Sequence, residues 1–600
     1  MFKNYLRIAF RNLWKHRVYS FLNILGLTIG MSACFLIFLY VKFELSYDNF
    51  HSKKDRIYRI NCDIRTPTET MNIGVCSAPM AINAKDEFAE IEKVCRVDQS
   101  NYLFRRGDIK FQEEHCAMAD STFFEVFDFP LVKGDRVTAL REPFSLVLSE
   151  STAKKYFAGA DPMGQTLLMT EDGFPAKVTG IMKDMPENTE LKADLFISKS
   201  TSKRFDSSED RRWGSFGMWS YALLQPNVNA AALEKKFPAF LKKRNGTEQD
   251  KSKMYFSLFL QPLTDIYLKA GKRGAPDTGS MSNVYIFSIV GAFILLIACI
   301  NFINLTTARS TERAKEVGIR KVVGAERGQL TNQFLGESIL QALIAFVLAV
   351  GVVSLMIPGF NFLAGKTVSS GLFQHPVYIL WLLGIAVAIG LLAGVYPALV
   401  LSSFQPITVL KGRFATGTRG LLLRKGLVVF QFVISIAFIA STMIVYSQLS
   451  YMRNQDLGFN NQQMMVIDTH GDKHKKALKT EIARMPGVIS AAMSSSVPGG
   501  GNMGAYSVVQ NQKGDMQIAN LDLYFVDFDY LKQYKMKIIA GRAFSRDFGA
   551  DTTHSMILNE SAVKMFGYHT PQEAIGRKFS QWGREGQIVG VVKDFHYRSL

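Results

Sequence analysis

The sequence lacks the motifs that would mark it as an enzyme. The nearest stretch to a G-x-x-x-x-G-K-[ST] phosphate loop, GADPMGQT from Gly159, has Gln165 where that loop needs lysine. It contains no C-x-x-C pair among its 6 cysteines, and its 9 histidines form no grouping with a nearby serine or cysteine nucleophile. We therefore predict that the chain has no catalytic site, needs no cofactor and relies on another protein for any ATP hydrolysis.

A metal site is equally unsupported by the pattern of histidines. His470 and His474 stand four positions apart, which is a metal-ligand spacing on a helix, and aspartates lie beside them. Gly471 and the polar surroundings favour a solvated helix start instead. We predict no metal site.

Charge is nearly absent from five long apolar runs. Each is about 20 residues or longer, which is the length that a helix needs to cross a hydrocarbon core of ~30 Å. The one clear charged exception is Glu337. A buried, functional carboxylate and an exposed one at the membrane interface both fit it, and we expect the exposed one. The five predicted spans are 18–41, 283–305, 335–357, 377–401 and 426–446.

Acidic residues are missing from two segments that flank these runs, 1–17 and 402–425, and are outnumbered by basic ones in 306–334. An excess of Lys and Arg in short loops marks the cytoplasmic side. The net charge of +18 is therefore mainly topological and does not indicate a nucleic-acid partner. We predict a membrane protein with a cytoplasmic N-terminus. The segments predicted outside are 42–282, the short loop 358–376, and 447–600.

The first segment, 1–17, has basic residues at every fourth position, which fits an amphipathic helix on the inner leaflet; a plain flanking charge cluster fits equally. The apolar run after it is too long for a signal peptide, so we expect a retained anchor.

Four cysteines fall in the first outer segment, where disulfides are chemically allowed. Their spacing favours neither one of the three pairings nor free thiols. These four are Cys62, Cys76, Cys95 and Cys116.

The two large outer segments repeat one another. SLVLSESTAKKYF starts at Ser145 and SMILNESAVKMF at Ser555; KVTGIMKD starts at Lys177 and QIVGVVKD at Gln587, so both pairs are 410 residues apart. A constant offset over several motifs indicates duplication of a unit made of one span, an outer domain and three spans. We therefore expect eight spans in all, the last three beyond Leu600. The predicted fold is an α-helical transmembrane bundle with mixed α/β extracytoplasmic domains.

Two glycine pairs within the spans have the G-x-x-x-G spacing that lets helix backbones approach closely. We predict helix packing at these positions, of which a dimer seam is one version. The four glycines are Gly26, Gly30, Gly390 and Gly394.

The stretch ERAKEVGIRKVVGA, 312–325, is charged and helix-prone although it lies between two apolar runs. Glu316 and Arg320 form a helix-supporting i, i+4 pair, Gly318 allows a bend, and Gly324 suits a helix C-terminus. A solvated loop would not need the interspersed valines and isoleucine. A docking surface for a cytoplasmic partner fits them better.

The longer stretch ARSTERAKEVGIRKVVGAERGQLTNQFLGES resembles the signature loop of FtsX-like permease domains. The preceding outer segment is similar to the MacB-type periplasmic core domain, and the duplicated layout to the eight-span permeases of this superfamily. Single-unit MacB differs, because it has four spans and a fused ATPase. The positions that match the loop pattern are Glu316, Gly318, Arg320, Lys321, Gly324, Ala325, Gln333, Phe334, Leu335 and Glu337.

The resemblance implies the permease subunit of a mechanotransmission-type ABC transporter in the bacterial inner membrane, with a separate cytoplasmic ATPase docked on the inner loop. It implies export of a peptide, macrolide-like or lipoprotein substrate, with a periplasmic adaptor and an outer-membrane channel as further partners. Two alternatives remain open. One is a membrane scaffold that regulates cell-wall hydrolases, and the other is a partner of a kinase that senses antimicrobial peptides.

Overall fold

The computed structural model describes residues 11–67, 69–269, 279–308, 310–369, 371, 373, 376–402 and 418–598. Long apolar helices form one part of the protein and mixed α/β sheets the other, which confirms the predicted fold class. Most of the predicted N-terminal helix, and residues 403–417 of the predicted basic linker, lie outside the described residues. Residues 11–15 are helical.

The helices of the described part, in chain order, are α1 (Arg17–Glu44), α2 (Ala78–Glu87), α3 (Phe123–Val126), α4 (Glu150–Phe157), α5 (Ser202–Phe205), α6 (Ala230–Glu234), α7 (Phe237–Ser252), α8 (Leu263–Ile266), α9 (Met281–Ala308), α10 (Ser310–Val322), α11 (Arg327–Ala364), α12 (Pro376–Ser402), α13 (Thr418–Asn454), α14 (Lys475–Arg484), α15 (Tyr530–Gln533) and α16 (Glu560–Met565).

The strands are β1 (Ile57–Arg65), β2 (Thr70–Ile73), β3 (Cys76–Ser77), β4 (Ile91–Arg106), β5 (Ile109–Ala119), β6 (Leu131–Lys133), β7 (Ser145–Ser149), β8 (Thr166–Met169), β9 (Phe174–Met182), β10 (Leu195–Ser198), β11 (Phe216–Leu224), β12 (Tyr255–Pro262), β13 (Met503–Gln510), β14 (Met516–Leu523), β15 (Ile538–Gly541), β16 (Ser555–Asn559), β17 (Lys578–Gln581) and β18 (Arg584–Val592).

Five of these helices are long and apolar enough to cross a membrane: α1, α9, α11, α12 and α13. Helices α1, α9, α11 and α12 share one apolar core, in which the ring of Phe35 on α1 packs edge-on against that of Phe346 on α11. Helix α13 is packed much less against the rest of the protein. Only 6% of its most apolar stretch is buried, whereas 28 to 44% is buried in the other four helices. Every predicted span coincides with a helix, and each helix extends beyond the predicted bounds.

The predicted loop 306–334 is mostly helical. Helix α9 continues to Ala308, α10 occupies Ser310–Val322, and α11 begins at Arg327. A capping box explains the new start, because Glu326 caps the helix and the side chain of Gln329 accepts a hydrogen bond from the Glu326 backbone N–H. The segment therefore joins two spans as a short helix and one tight turn.

The first outer domain, 42–282, is built on a 12-stranded sheet in the order β12-β1-β11-β4-β5-β10-β7-β9-β6, with β2, β3 and β8 paired alongside. Its core is aromatic, with Phe123 packed against Phe124, Phe129 and Phe196. Its four cysteines are buried, and the structure describes each of them as a thiol and not as half of a disulfide.

The second outer domain, 447–600, has a 6-stranded sheet in which β16 pairs with β18. Its parallel register, Ser555 opposite Gln587, reproduces the pairing of Ser145 with Lys177 between β7 and β9, including an irregularity one residue later. All four strands lie in the repeated sequence motifs, which start at Ser145, Lys177, Ser555 and Gln587. The predicted duplication is confirmed at the level of strand register.

Side-chain roles repeat as well. Asp184 accepts hydrogen bonds from the backbone N–H and hydroxyl of Ser151, and Asp594 does the same for Ser561, 410 positions later. Each aspartate follows a strand and contacts the first turn of a helix, α4 or α16, where its charge also complements the helix dipole. The repeated unit therefore keeps its helix cap as well as its strands.

A buried polar group ties the end of α1 to the first outer domain. The Arg59 guanidinium bonds to Glu190, and the Asp48 carboxylate accepts hydrogen bonds from the Thr189 hydroxyl and the Glu190 backbone N–H. The hydroxyl of Tyr221 is buried among them. Of the two carboxyls only Glu190 pairs with the guanidinium, and burial raises the pKa of Asp48 to about 6 and that of Glu190 to about 7.

We predict that the first outer domain loses stability as the pH rises from 5 to 8. The unfolded chain releases the Asp48 proton near pH 4, whereas the folded domain holds it up to about pH 6, so this stability is full at low pH and lost through the folded pKa. Asp48 alone supplies about 1.4 kcal/mol of this loss between pH 5 and pH 8, because the rest of its shift acts below pH 5. Thermal unfolding of the intact protein, followed by tryptophan fluorescence, should give a lower Tm at pH 8 than at pH 5. The Asp48→Asn variant should show a smaller difference, the remainder coming from Glu190, and an unchanged difference would contradict the assignment.

Candidate functional site

Helix α10 is seated on the bundle by its apolar side. Val317 is 1% exposed and packs with Leu330 and Phe334 of α11 and Ala398 of α12. Gly318 is also buried on this side and lies within an uninterrupted helix, so the bend that it would allow is absent. The helix is therefore held against two spans.

The opposite side of α10 is apolar and open. Ile319, Val322 and Val323 are 57, 63 and 82% exposed. We call these three residues the exposed apolar face. Three neighbouring large aliphatic side chains are costly to leave in water, which is typical of a surface that another molecule covers.

The turn after α10 closes by backbone hydrogen bonds. Gly324 has φ of +102°, a conformation that favours glycine, and its N–H donates to the Lys321 carbonyl. Ala325 donates its N–H to the Arg320 carbonyl and packs on the Val317 cluster. These hydrogen bonds make the connection between α10 and the start of α11 short and tight.

A line of hydrogen-bonded side chains continues from α10 into the bundle. Arg320 forms an ion pair with Glu316 on one side and donates to Gln333 Oε1 at 2.8 Å on the other. Gln333 Nε2 donates to Glu337 Oε1 at 3.1 Å. Asn12 Nδ2, on the chain before α1, donates to the same oxygen at 2.8 Å. We call these five residues the polar relay.

The relay corrects one expectation. Glu337 was expected at an exposed interface, yet it is 6% exposed and bonded on both sides. The sequence around Asn12 does not mark it as a functional residue, because its partner Glu337 lies 325 positions away. A carboxylate that a span buries is normally bonded and functional, which is the reading the sequence also allowed.

Lys321 supplies a further attachment. Its Nζ donates to the backbone carbonyl of Ser402 at 2.7 Å, at the end of α12. Helix α10 is therefore fastened to α11, to α12 and, through the relay, to the chain before α1. The structure brings together the loop residues singled out in the sequence, from Glu316 to Glu337.

Three of the four singled-out glycines lie at helix contacts. A Cβ at Gly30 would come within 2.6 Å of the Ala298 Cβ on α9, and a Cβ at Gly394 within 2.6 Å of the Ser338 Cβ on α11. At Gly390 it would meet the Ala342 Cβ at 3.0 Å. No atom of the described chain lies within 4 Å of the corresponding position at Gly26.

We predict that Gly30→Ala lowers stability whereas Gly26→Ala does not. At Gly30 the added methyl forces α1 and α9 apart, and overpacking of this kind costs about 1 to 3 kcal/mol. At Gly26 the methyl meets open space. The two melting temperatures in one detergent make the comparison, and equal values for both variants would contradict the packing role.

The histidines and carboxylates that could bind a metal ion are dispersed in the described ranges. Within the described ranges, no cluster of three or more His, Cys, Asp or Glu side chains is arranged to hold a metal ion. His470 and His474 each lie beside a local aspartate.

Comparison with known families divides the chain at the same places as the fold. Residues 20–240 match the model of the MacB-like periplasmic core domain, and residues 288–406 match that of the FtsX-like permease C-terminal domain. The first match covers α1 and most of the first outer domain. The second covers α10 and the spans around it.

Individual relatives are distant. The chain is 23% identical over 423 residues to the macrolide export ATP-binding/permease protein MacB of Vibrio parahaemolyticus, which covers 68% of this chain and 59% of that protein. It is 23% identical over 366 residues to the probable syringafactin export ATP-binding/permease protein SyfD of Pseudomonas syringae, covering 58% and 50%. The chain thus spans between half and three fifths of these relatives' lengths.

A solved domain of a permease protein from Porphyromonas gingivalis aligns with 20% identity and a TM-score of 0.32, covering 35% of this chain and 91% of that domain. So low a score adds nothing to the assignment, which rests on the two family matches and on the five apolar helices. The chain therefore carries a MacB-type periplasmic core domain and an FtsX-like permease domain, and it is similar to permeases of ABC transporters.

Proposed function

We propose that this permease transmits the work of a separate cytoplasmic ATPase to its outer domains, and that α10 is where the ATPase docks. The N-terminus and α10 then lie in the cytoplasm, as the distribution of basic residues predicts. The observation that carries the proposal is the two-sided character of α10. One side is fixed to the bundle through Val317, and the other leaves Ile319, Val322 and Val323 open.

The attachments of α10 suit a lever. A displacement of the helix reaches α11 through the turn at Gly324 and through the contact of Arg320 with Gln333, and it reaches α12 through Lys321. Helix α11 has 38 residues, so it spans the whole bilayer and ends beside the outer domain. Closure of an ATPase dimer would therefore shift the outer end of α11 against the first outer domain.

The transported material is proposed from the relatives. The names of MacB and SyfD state export of macrolides and of syringafactin. We propose export of a peptide, lipopeptide or macrolide-like compound from the periplasm through an adaptor and an outer-membrane channel. A cavity of about 100 Å³ beside Arg96 and Lys199 in the first outer domain is too small for such compounds.

The test is reconstitution. The permease should be co-expressed with each ATP-binding subunit of its host, purified, and placed in lipid nanodiscs. We expect one ATPase to co-purify, and its hydrolysis rate to rise when the permease is present. A strain without the permease should also accumulate macrolides. ATPase coupling without any export defect would favour the regulatory scaffold, and the absence of any co-purifying ATPase would contradict the proposal.

A further inference from the structure

The last residue of α1, Glu44, meets two other parts of the protein. Its Oε2 accepts a hydrogen bond from the Tyr267 hydroxyl at 2.8 Å, and its Oε1 lies 3.0 Å from Lys366 Nζ. Tyr267 follows α8 at the base of the first outer domain. Lys366 follows Gly365, which caps the outer end of α11. One carboxylate therefore joins a first span, a third span and the outer domain.

The surrounding packing is close. Tyr47 stacks on Tyr267 with ring centroids 3.4 Å apart and ring planes parallel to within 1°. Gly279 lies just before α9, and a Cβ there would come within 2.5 Å of the Tyr267 ring and 2.8 Å of Glu44 Oε2. The entry to a fourth element, α9, is thus pressed against the same group. We call Glu44, Tyr47, Tyr267, Gly279 and Lys366 the junction cluster.

The two charges of the cluster differ in their access to water. The side chain of Glu44 is 3% exposed and that of Lys366 is 30% exposed. A lysine at this position can swing its ammonium into water, whereas Glu44 would remain buried. Burial is the main cause that raises the pKa of Tyr267, so its hydroxyl stays protonated and continues to donate to Glu44. The junction cluster therefore allows two arrangements, one with the Lys366 ammonium bound to Glu44 and one with it released into water.

The second half of the chain lacks this group. Span 1 and span 5 correspond at an offset of 408, which aligns Asp48 with Asp456. The same offset places Met452 opposite Glu44 and Gln455 opposite Tyr47. Neither can form the ion pair or the ring stack. The duplication has therefore left the two outer domains differently attached to their spans.

We propose that Glu44 and Lys366 form a latch that holds the first outer domain on the bundle, and that Lys366 leaves Glu44 when α11 shifts. The corresponding positions of the second half hold Met452 and Gln455, so this particular pair belongs to the first outer domain. The inference rests on the proposed function, since it needs α11 to move. Glu44 and Lys366 are positioning residues and touch no substrate.

The test uses the full chain with its ATPase in nanodiscs and spin labels on Val137→Cys in the first outer domain and Leu363→Cys on α11, both exposed positions. Pulsed electron resonance gives the distance distribution. Without nucleotide, Lys366→Met should populate the distances that the parent reaches only with ATP and vanadate, by at least about threefold over the parent. The double variant Glu44→Lys, Lys366→Glu should restore the parent distribution.

Lys269→Met is the matched control, because Lys269 forms an exposed pair with Asp265 near the same junction. It should leave the distances unchanged. A Lys366→Met distribution equal to that of the parent, or a shift shared with Lys269→Met, would overturn the latch. If Ile319→Asp leaves ATPase coupling intact, the docking proposal fails instead, so the two failures are separable. Lys366→Met also keeps the test valid if Glu44 variants do not fold.

Discussion

An Ile319→Asp variant is expected to lose permease-stimulated ATP hydrolysis. Ile319 belongs to the exposed apolar face, so the change costs the folded permease little. In a docked complex the new carboxylate would be buried against the ATPase without a partner, which costs at least about 2 to 3 kcal/mol. That corresponds to binding weaker by roughly 30- to 150-fold.

The measurement is the hydrolysis rate against ATPase concentration, with the permease in nanodiscs. Val132→Asp is the matched control, since it places the same charge on an exposed apolar position in the first outer domain. It should bind the ATPase as the parent does. Equal losses in both variants would point to a general effect of charge, and no loss in either would remove α10 as the docking site.

A Gln333→Leu variant is expected to separate hydrolysis from transport. Gln333 is the middle of the polar relay, and leucine would leave Arg320 without one acceptor and Glu337 without one donor. An unsatisfied buried group costs about 1 to 3 kcal/mol, so α10 should be held less firmly against α11. The ATPase should still bind and hydrolyse ATP within about twofold of the parent, while export per ATP should fall about tenfold.

Thr331→Val is the control for this second prediction. Its hydroxyl bonds only to the Arg327 carbonyl one turn away on the same helix, so its loss should leave the relay intact. Export and hydrolysis are measured together in vesicles. If Gln333→Leu keeps the parent ratio of export to hydrolysis, the relay does not carry the motion.

Much of the fold was readable because its signals are local or repeated. Apolar length predicted the spans, and the constant offset between Ser145 and Ser555 predicted strands whose register the structure repeats. The helical nature of 312–325 followed from the i, i+4 pair of Glu316 and Arg320. Such features depend on neighbours in the chain.

The remaining features depend on contacts between distant segments. Gly26 and Gly30 share one motif, but only the orientation of α1 decides which of them faces α9. A glutamate near the end of a predicted span, such as Glu337, can be either exposed or buried. Its partner Asn12 is far away in sequence. The pairing of Glu44 with Lys366 has the same character, since 322 positions separate them. Pattern alone carries no information about such pairs.

The central claim is that an ATPase contacts the exposed apolar face of α10, and a cross-link tests it most directly. Val323→Cys places a thiol at a position that is 82% exposed, and Val132→Cys places one on the first outer domain. With a short bifunctional maleimide, we predict a permease–ATPase product from Val323→Cys that is absent from Val132→Cys and from the chain without an added cysteine. A co-purifying ATPase that forms no product with Val323→Cys, or that forms one with Val132→Cys, would contradict the account.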